Sequence, residues 1–274
     1  MPIGAMKFSN FATLIDPSFH PYTASWINRV ATAGGTVTTA RQSTVDIFIK
    51  GLITDGLLDG VTISNSILHY MNLFATDSFA GCNVPLIDAK SVGNSTLTNF
   101  VAGDYSISGL TGDSSTKYLN TNYSALTNLV SFADGGCIGQ YSSAGNVSSG
   151  NHAFGVKSGS SAFFIYFGAG YNGSAVFDNS NSLNSAFNLQ HGFNLANTKA
   201  STHRRSLNGS LVATKSEVII AIPSPTMTFF GSWENGAIAS RYNHTLRLTC
   251  IGRGLTIAQE SALNSRIQTL VSAL

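Results

Sequence analysis

Charge is what this chain has least of. Only 10% of its 274 residues are Asp, Glu, Lys or Arg, against about 25% in an ordinary globular domain. The 15 basic and 13 acidic side chains leave a formal charge of +2. Arg204-Arg205 is the only basic run that stands out, and a single pair is no electrostatic footprint for nucleic acid. Cysteine is scarcer still. Cys82, Cys137 and Cys250 are odd in number, widely spaced and without a CxxC, so neither a disulfide framework nor a zinc site is supported and buried free thiols are expected. No stretch reaches the ~18 apolar residues of a membrane span, and the N-terminus lacks the charged start and apolar core of a secretory signal. The longest apolar patches, such as Ala162 to Phe167, are strand-sized.

Glutamate is limited to Glu217, Glu234 and Glu260, far apart in sequence. Glycoside hydrolysis needs two carboxylates about 5–10 Å apart across the scissile bond. On a β-sandwich an E-x-D-x-E-like run would put them on one face of a strand, and that run is missing. Convergence of carboxylates from separate strands stays open. No G-x-S-x-G elbow lies between a strand and a helix. The six histidines form no H-x-H or H-E-x-x-H pattern for a metal. No cofactor is expected. For calcium, the plausible oxygen donors are Asp104, Asp113 and Asp178 with Asn179 and Asn181, and turn formation by these Asx residues is the expectation.

Asn, Ser, Thr and Gly fill the space that charge leaves. Gly, Asn and Ser supply turn geometries and Thr favours strands, so the composition suits an all-β protein with many turns. Six Asn-x-Ser/Thr triplets, at Asn94, Asn122, Asn146, Asn172, Asn208 and Asn243, are what such a composition produces by chance.

The first part of the chain reads helical. TASWINRVATAGG places Trp26, Ile27, Val30 and Ala31 on one face before Gly34-Gly35. TARQSTVDIFIKGLITDG carries a Thr39–Gln42 capping box, a stripe at Val45, Phe48, Ile49, Leu52 and Ile53, and Gly56 as a C-cap. The two read as a helical hairpin, with Ile63 to Phe74 as a third short helix. From about residue 84 short strands recur every 8 to 14 residues. They are expected at 100–107, 117–119, 137–142, 152–157, 162–167, 175–178, 187–193, 203–207, 211–214, 218–222, 226–233, 237–242 and 245–251. Asn208-Gly209 is the strongest hairpin signal. A last helix follows a Thr256–Gln259 capping box, striped by Ile257, Leu263, Ile267, Leu270 and Val271. This is a two-sheet sandwich or jelly roll with helical ends.

GLTGDSSTKYLNTNYSALTN, at 109–128, mimics a phosphate loop. Counted from Gly112, however, Lys117 stands where the second glycine of G-x-x-x-x-G-K-[ST] belongs, and no βαβ unit surrounds it. A turn leading into a strand is the better reading. Together with GCIGQYSS, HRRSLNGSLVATKS and the ending CIGRGLTIAQESALNSRIQTLVSAL, this stretch resembles the laminin-G/concanavalin-A-like lectin jelly rolls of tailed-phage virion proteins. The resemblance covers about residues 97–274, and the helix, Gly-Gly, helix lead-in is similar to the segment that often precedes that domain.

The resemblance implies a jelly-roll domain at 97–274 behind a helical docking segment at 1–96. It also implies a non-enzymatic structural role on a tailed-phage virion, as a fibre, appendage or capsid-decoration subunit. Partners would be other virion proteins, in a symmetric homo-oligomer such as a trimer, with host surface glycans as ligands. A free carbohydrate-binding module is the alternative, and a glycoside hydrolase stands behind both. A sugar site would use an exposed aromatic beside amides or acids. Trp233 with Glu234 and Asn235 fits, as does Tyr171, while a core role for Trp233 is the competing expectation. Arg204 and Arg205 alternate on a strand, so one is expected to face in and the other to face a partner.

Overall fold

The computed structural model describes residues 16–129, 134–144, 152–158, 161–167, 173–178, 191–216, 223–239 and 241–274. The expected strand at 218–222 lies outside them, as does Tyr171.

Helix α1 (Pro21–Thr32) starts on a proline, whose missing N–H is free of cost at that position. The His20 ring accepts a hydrogen bond from the Tyr22 amide at 3.3 Å. Trp26, Ile27 and Val30 are buried. Helix α2 (Thr39–Thr54) buries Val45, Phe48, Ile49 and Leu52. Its cap is Thr38, whose hydroxyl accepts from the Arg41 amide at 3.4 Å. The expected Thr39–Gln42 box does not form, because Gln42 Nε2 donates to the Val37 carbonyl at 2.9 Å instead.

The strands follow in chain order: β1 (Leu68–Leu73), β2 (Pro85–Asp88), β3 (Thr96–Thr98), β4 (Tyr105–Ser106), β5 (Gly109–Thr111) and β6 (Tyr118–Ser124). After a four-residue helix α3 (Ala125–Asn128) come β7 (Gly136–Ala144), β8 (His152–Ser158), β9 (Ser161–Phe167), β10 (Gly173–Asp178) and β11 (Gly192–Lys199). Then come β12 (Thr202–Leu207), β13 (Ser210–Ser216), β14 (Thr226–Phe229), β15 (Ser232–Glu234), β16 (Ala237–Ala239) and β17 (Thr245–Gly252), and helix α4 (Ile257–Ala273) closes the chain.

These strands build a jelly-roll sandwich of two sheets. One runs β13-β12-β11-β7-β17-β1-β2, with β5 on β17 and β4 on β5. The other runs β10-β9-β8-β14-β6-β3, with β15 parallel to β8 and β16 on β15. The space between the sheets is filled by Tyr70, Phe74, Leu119, Tyr123, Ile138, Phe154, Phe163, Met227, Phe229, Phe230, Tyr242 and Ile251. The opposite face of the first sheet is covered by α1, α2 and α4. There Met71, Leu73, Cys137, Phe193, Leu195, Leu248 and Cys250 meet Trp26, Phe48, Ile49, Leu263, Ile267 and Leu270. The molecule therefore stacks helices on a covered sheet, and the covered sheet on an open one.

Residues 63–74 are not a third helix. Leu68–Leu73 is β1, hydrogen-bonded between β17 and β2 with Met71 opposite Cys250 and Ile87. All six positions are buried, with Met71 and Leu73 towards the helices and Tyr70 towards the other sheet. A strand buried on both faces loses its alternation, and periodicity alone cannot separate it from a buried helix. β1 and β2 thus place two strands of the covered sheet ahead of residue 97. Of the strand expected at 100–107 only Tyr105–Ser106 is strand, and before it stands a 3-10 turn at Ala102–Asp104, closed by the Val101 amide donating to Asp104 Oδ2 at 2.8 Å. Of the strand expected at 187–193, positions 187–190 lie outside the described residues, and β11 occupies Gly192–Lys199.

The Asn208-Gly209 hairpin forms as expected, with φ +50° and +79° at its two turn residues. The Thr256–Gln259 capping box is also present, closed by bonds of 3.3 and 3.0 Å. The cysteines are buried and free, and burial pushes the Cys82 and Cys250 thiols up to about 12.

Candidate functional site

The loop that resembles a phosphate cradle is already filled from within. Asp113 Oδ1 accepts the amides of Ser115, Thr116 and Lys117 at 2.9, 2.8 and 3.0 Å, and Oδ2 accepts the Thr116 hydroxyl at 2.6 Å. Burial opposes the charge of this carboxylate, but those four bonds hold its pKa well below the usual range. The Lys117 ammonium turns to Asp104 at 2.7 Å. The amides that would cradle a phosphate therefore carry an aspartate of the same loop, and the chain runs on into β6. The same bonds commit two of the proposed calcium donors. Asp178 lies on β10, and Asn179 and Asn181 fall outside the described residues. Among the described residues no group of three His, Cys, Asp or Glu could hold a metal.

Trp233, Glu234 and Asn235 sit together on the β15–β16 hairpin, but alternation divides them. Trp233 lies beside Val156 in the parallel pairing and packs on the core between the sheets. Glu234 lies beside Lys157, and its Oε1 accepts from the Ser232 hydroxyl on its own side of the strand. Asn235 occupies the left-handed turn position at φ +48°, and its amide donates to the Lys157 carbonyl at 3.0 Å. The indole thus anchors the hairpin to the core, and the acid faces away from it.

Neither arginine of the pair presents a free side chain. Arg204 Nε donates to Glu260 Oε1 at 2.7 Å and Arg204 Nη2 to the Leu255 carbonyl at 2.7 Å, with both charged side chains 11% exposed. Arg205 is buried, and burial pulls its pKa down to about 10. The expected outward arginine is captured by the first turn of α4, which folds over this edge of the sheet. Asn197 completes the clamp: its Oδ1 accepts the Leu255 amide at 2.7 Å, and its Nδ2 donates to the Leu255 carbonyl at 2.9 Å and to Glu260. Two glycines close the same corner. A Cβ on Gly135 or on Gly254 would collide with the Thr198 carbonyl.

Among the described residues no helix packs on the outer face of the open sheet. Along β6 the odd-numbered Leu119, Thr121 and Tyr123 are buried, while Tyr118, Asn120 and Asn122 look outward. Thr96 and Thr98 of β3 lie opposite Asn120 and Tyr118, and Thr226 of β14 lies opposite Ser124. Lys157 and Glu234 continue this face across β8 and β15. The surface so assembled is rich in hydroxyl and amide groups, with one phenol and one acid–base pair of neighbours. Sequence reasoning missed it because β3 and the outward register of β6 were not read. The polar-apolar alternation of YLNTNYS was the available signal.

No family model matches the chain, and no curated protein matches it. Solved structures do. Domain 4 of a GH43 extracellular arabinanase from Geobacillus stearothermophilus, in complex with arabinotriose, is 13% identical over 72% of this chain and 97% of its own, with a TM-score of 0.49. The Ruminococcus gnavus IT-sialidase CBM40 is 17% identical over 48% of this chain and 83% of its own, with a TM-score of 0.36. Trypanosoma rangeli sialidase in complex with sialic acid is 8% identical over 82% of this chain and 39% of its own, with a TM-score of 0.49. At such identities and scores no residue of theirs transfers to this chain.

Proposed function

We propose that this chain is a non-enzymatic recognition protein that binds glycans across the open sheet and serves as a surface subunit of a tailed-phage virion. The observation that carries the glycan reading is the inequality of the two outer faces. One is sealed by three helices, and the other, with no helix on it among the described residues, offers Tyr118 with Asn120, Thr96, Thr98 and Thr226. A phenol ring can stack on the apolar face of a sugar while neutral amides and hydroxyls meet its hydroxyl groups.

A binding role rather than hydrolysis is supported by where the carboxylates go. Asp46, Asp55, Asp77, Asp104 and Glu260 each face a cation, Lys50, Arg266, Arg41, Lys117 and Arg204, at 2.6 to 3.4 Å. Acids committed to structural pairs are poor candidates for the two flanking groups of a glycosidase. The virion placement rests on the sequence resemblance, with the helical layer as the docking side.

A glycan screen with the purified chain and with Tyr118→Ala/Asn120→Ala tests the binding face. The expected result is a bound glycan whose affinity falls at least tenfold in the variant. Binding that survives the double substitution would move the site elsewhere. Mass spectrometry of purified particles tests the placement: a fixed copy number per virion is expected, and absence from particles would leave a free carbohydrate-binding module.

A further inference from the structure

The outer side of the helical layer carries an apolar groove between α2 and α4. Ile47 and Phe48 line it from one helix, and Leu270 and Ala273 from the other. Thr44 and Thr269 complete its walls. Their hydroxyls turn back onto the Ala40 and Ser265 carbonyls of their own helices, both at 3.0 Å, so neither asks the groove for a partner. At one end Arg266 bridges the helices, with Nε and Nη2 donating to Asp55 at 2.8 and 3.2 Å. The cavity so enclosed measures about 140 Å³. An apolar cavity of about 150 Å³ takes up a benzene molecule, so this one has room for a single phenyl ring. Ile47 stands at its rim, 66% exposed on a helix face otherwise made of Thr39, Ser43, Lys50 and Thr54.

The described chain begins beside this rim. Asp16 opens a turn in which the Phe19 amide donates to the Asp16 carbonyl at 3.0 Å. That turn is strapped to α2: Lys50 Nζ donates to the Ser18 carbonyl at 3.1 Å, and the His20 amide donates to Asp46 Oδ1 at 2.7 Å. Lys50 and Ile47 are three apart on α2, so they are surface neighbours with Cβ atoms about 5–6 Å apart. The sequence that precedes the turn, MPIGAMKFSNFATLI, has a single charged side chain, Lys7, and two aromatic rings, Phe8 and Phe11. Five extended residues separate Phe11 from Asp16 and span up to about 18 Å. That exceeds the width of a helix, about 10–12 Å, so the rings can pass over α2 to the groove.

We propose that residues 1–15 cross the outer ridge of α2 and dock in the α2–α4 groove of the same chain, with the ring of Phe8 or Phe11 in the cavity and Leu14 and Ile15 over Ile47. The segment then belongs to the helical layer. It removes apolar surface from water and closes the groove to side chains of other molecules. None of this depends on whether the open sheet binds a glycan.

Cross-linking of the full chain with a short bismaleimide tests the position. Asn10→Cys/Thr269→Cys keeps both rings and puts one thiol on the far wall of the groove. Asn10→Cys/Leu126→Cys puts it on α3, at the end of β6 in the open sheet, where Leu126 is exposed. The three native thiols are buried. A bridge within one chain is expected, formed faster for the Thr269 pair by about tenfold or more, as the effective concentration of a docked segment requires. Equal rates for the two pairs, or a Thr269 bridge that joins two chains, would overturn the proposal. The Ile47 methyl resonance gives a second readout, compared between the unsubstituted chain and Phe8→Ser/Phe11→Ser. A docked ring shifts that signal, so it should move in the variant, and its position in the unsubstituted chain should not depend on concentration. An Ile47 signal identical in the two folded proteins would equally sink the idea.

Discussion

The two sheets share one interior and differ outside it. The covered sheet is buried on both faces, so β1 and nearly all of β11 and β17 are hidden from solvent, and its outer side is closed by Trp26, Phe48, Leu263 and Ile267 from three helices. The open sheet alternates: β6 buries Leu119, Thr121 and Tyr123 and shows Tyr118, Asn120 and Asn122. One face has been converted into core and the other left as surface. Stability is therefore expected to concentrate on the first and recognition on the second, and substitutions on the two sides should behave differently.

The sharpest break of that contrast is on the helical side. Trp26 is fully buried against the covered sheet, and Trp26→Ala should remove about 3–5 kcal/mol of stability. Urea unfolding checks it and also tests unity: a single transition shared by helices and sheets is expected, and a separate early transition would make the helices an independent layer. Next in size is Glu260→Ala, which strands Arg204 in a partly buried corner and should cost about 3 kcal/mol. An effect below ~1 kcal/mol in the same assay would mean that water reaches the clamp.

A pH titration of stability probes the covered sheet through two buried rings, His69 and His203. Burial first, and then nearby cations, depress His69 and His203 to about 3 from an ordinary 6.5. The unfolded chain takes up those protons before the folded one does. Stability is thus complete above pH 6.5 and falls as pH drops towards 3, by about 2 kcal/mol per ring between pH 6.5 and 5. Depressed carboxylates such as Asp46 add to the loss only nearer their ordinary 3.8. Urea midpoints at pH 7 and 5 measure it, and a flat profile would show that the rings are solvated. The smallest stability effect belongs to the open sheet, where Tyr118→Ala should change unfolding by less than ~0.5 kcal/mol while weakening glycan binding at least tenfold. A large loss of stability there would erase the distinction between the faces.

What the sequence revealed follows a different division. Elements with a stripe, a cap or a turn signal were legible: α1, α2 and α4, the capping box at Thr256, the Asn208-Gly209 turn and most strands after residue 136, β7 and β17 of the covered sheet among them. β1 was not, because both its faces are buried and its pattern has no period. The capture of Arg204 by Glu260 was equally hidden, since it joins residues 56 apart, and no local spacing announces such a pair. Of the candidate sugar residues, Trp233 was placed on the right hairpin, but its direction depended on the parallel pairing of β15 with β8, which sequence alone does not specify.

The corner where the last strand turns into α4 has a consequence for inheritance. Gly135 and Gly254 press against one carbonyl, that of Thr198, from different parts of the chain. Any side chain gained at either position must displace the same oxygen. The two glycines should therefore vary together rather than singly in descendants of this chain, and a genetic suppressor of damage at one should be sought in the backbone around Thr198 rather than beside the original change.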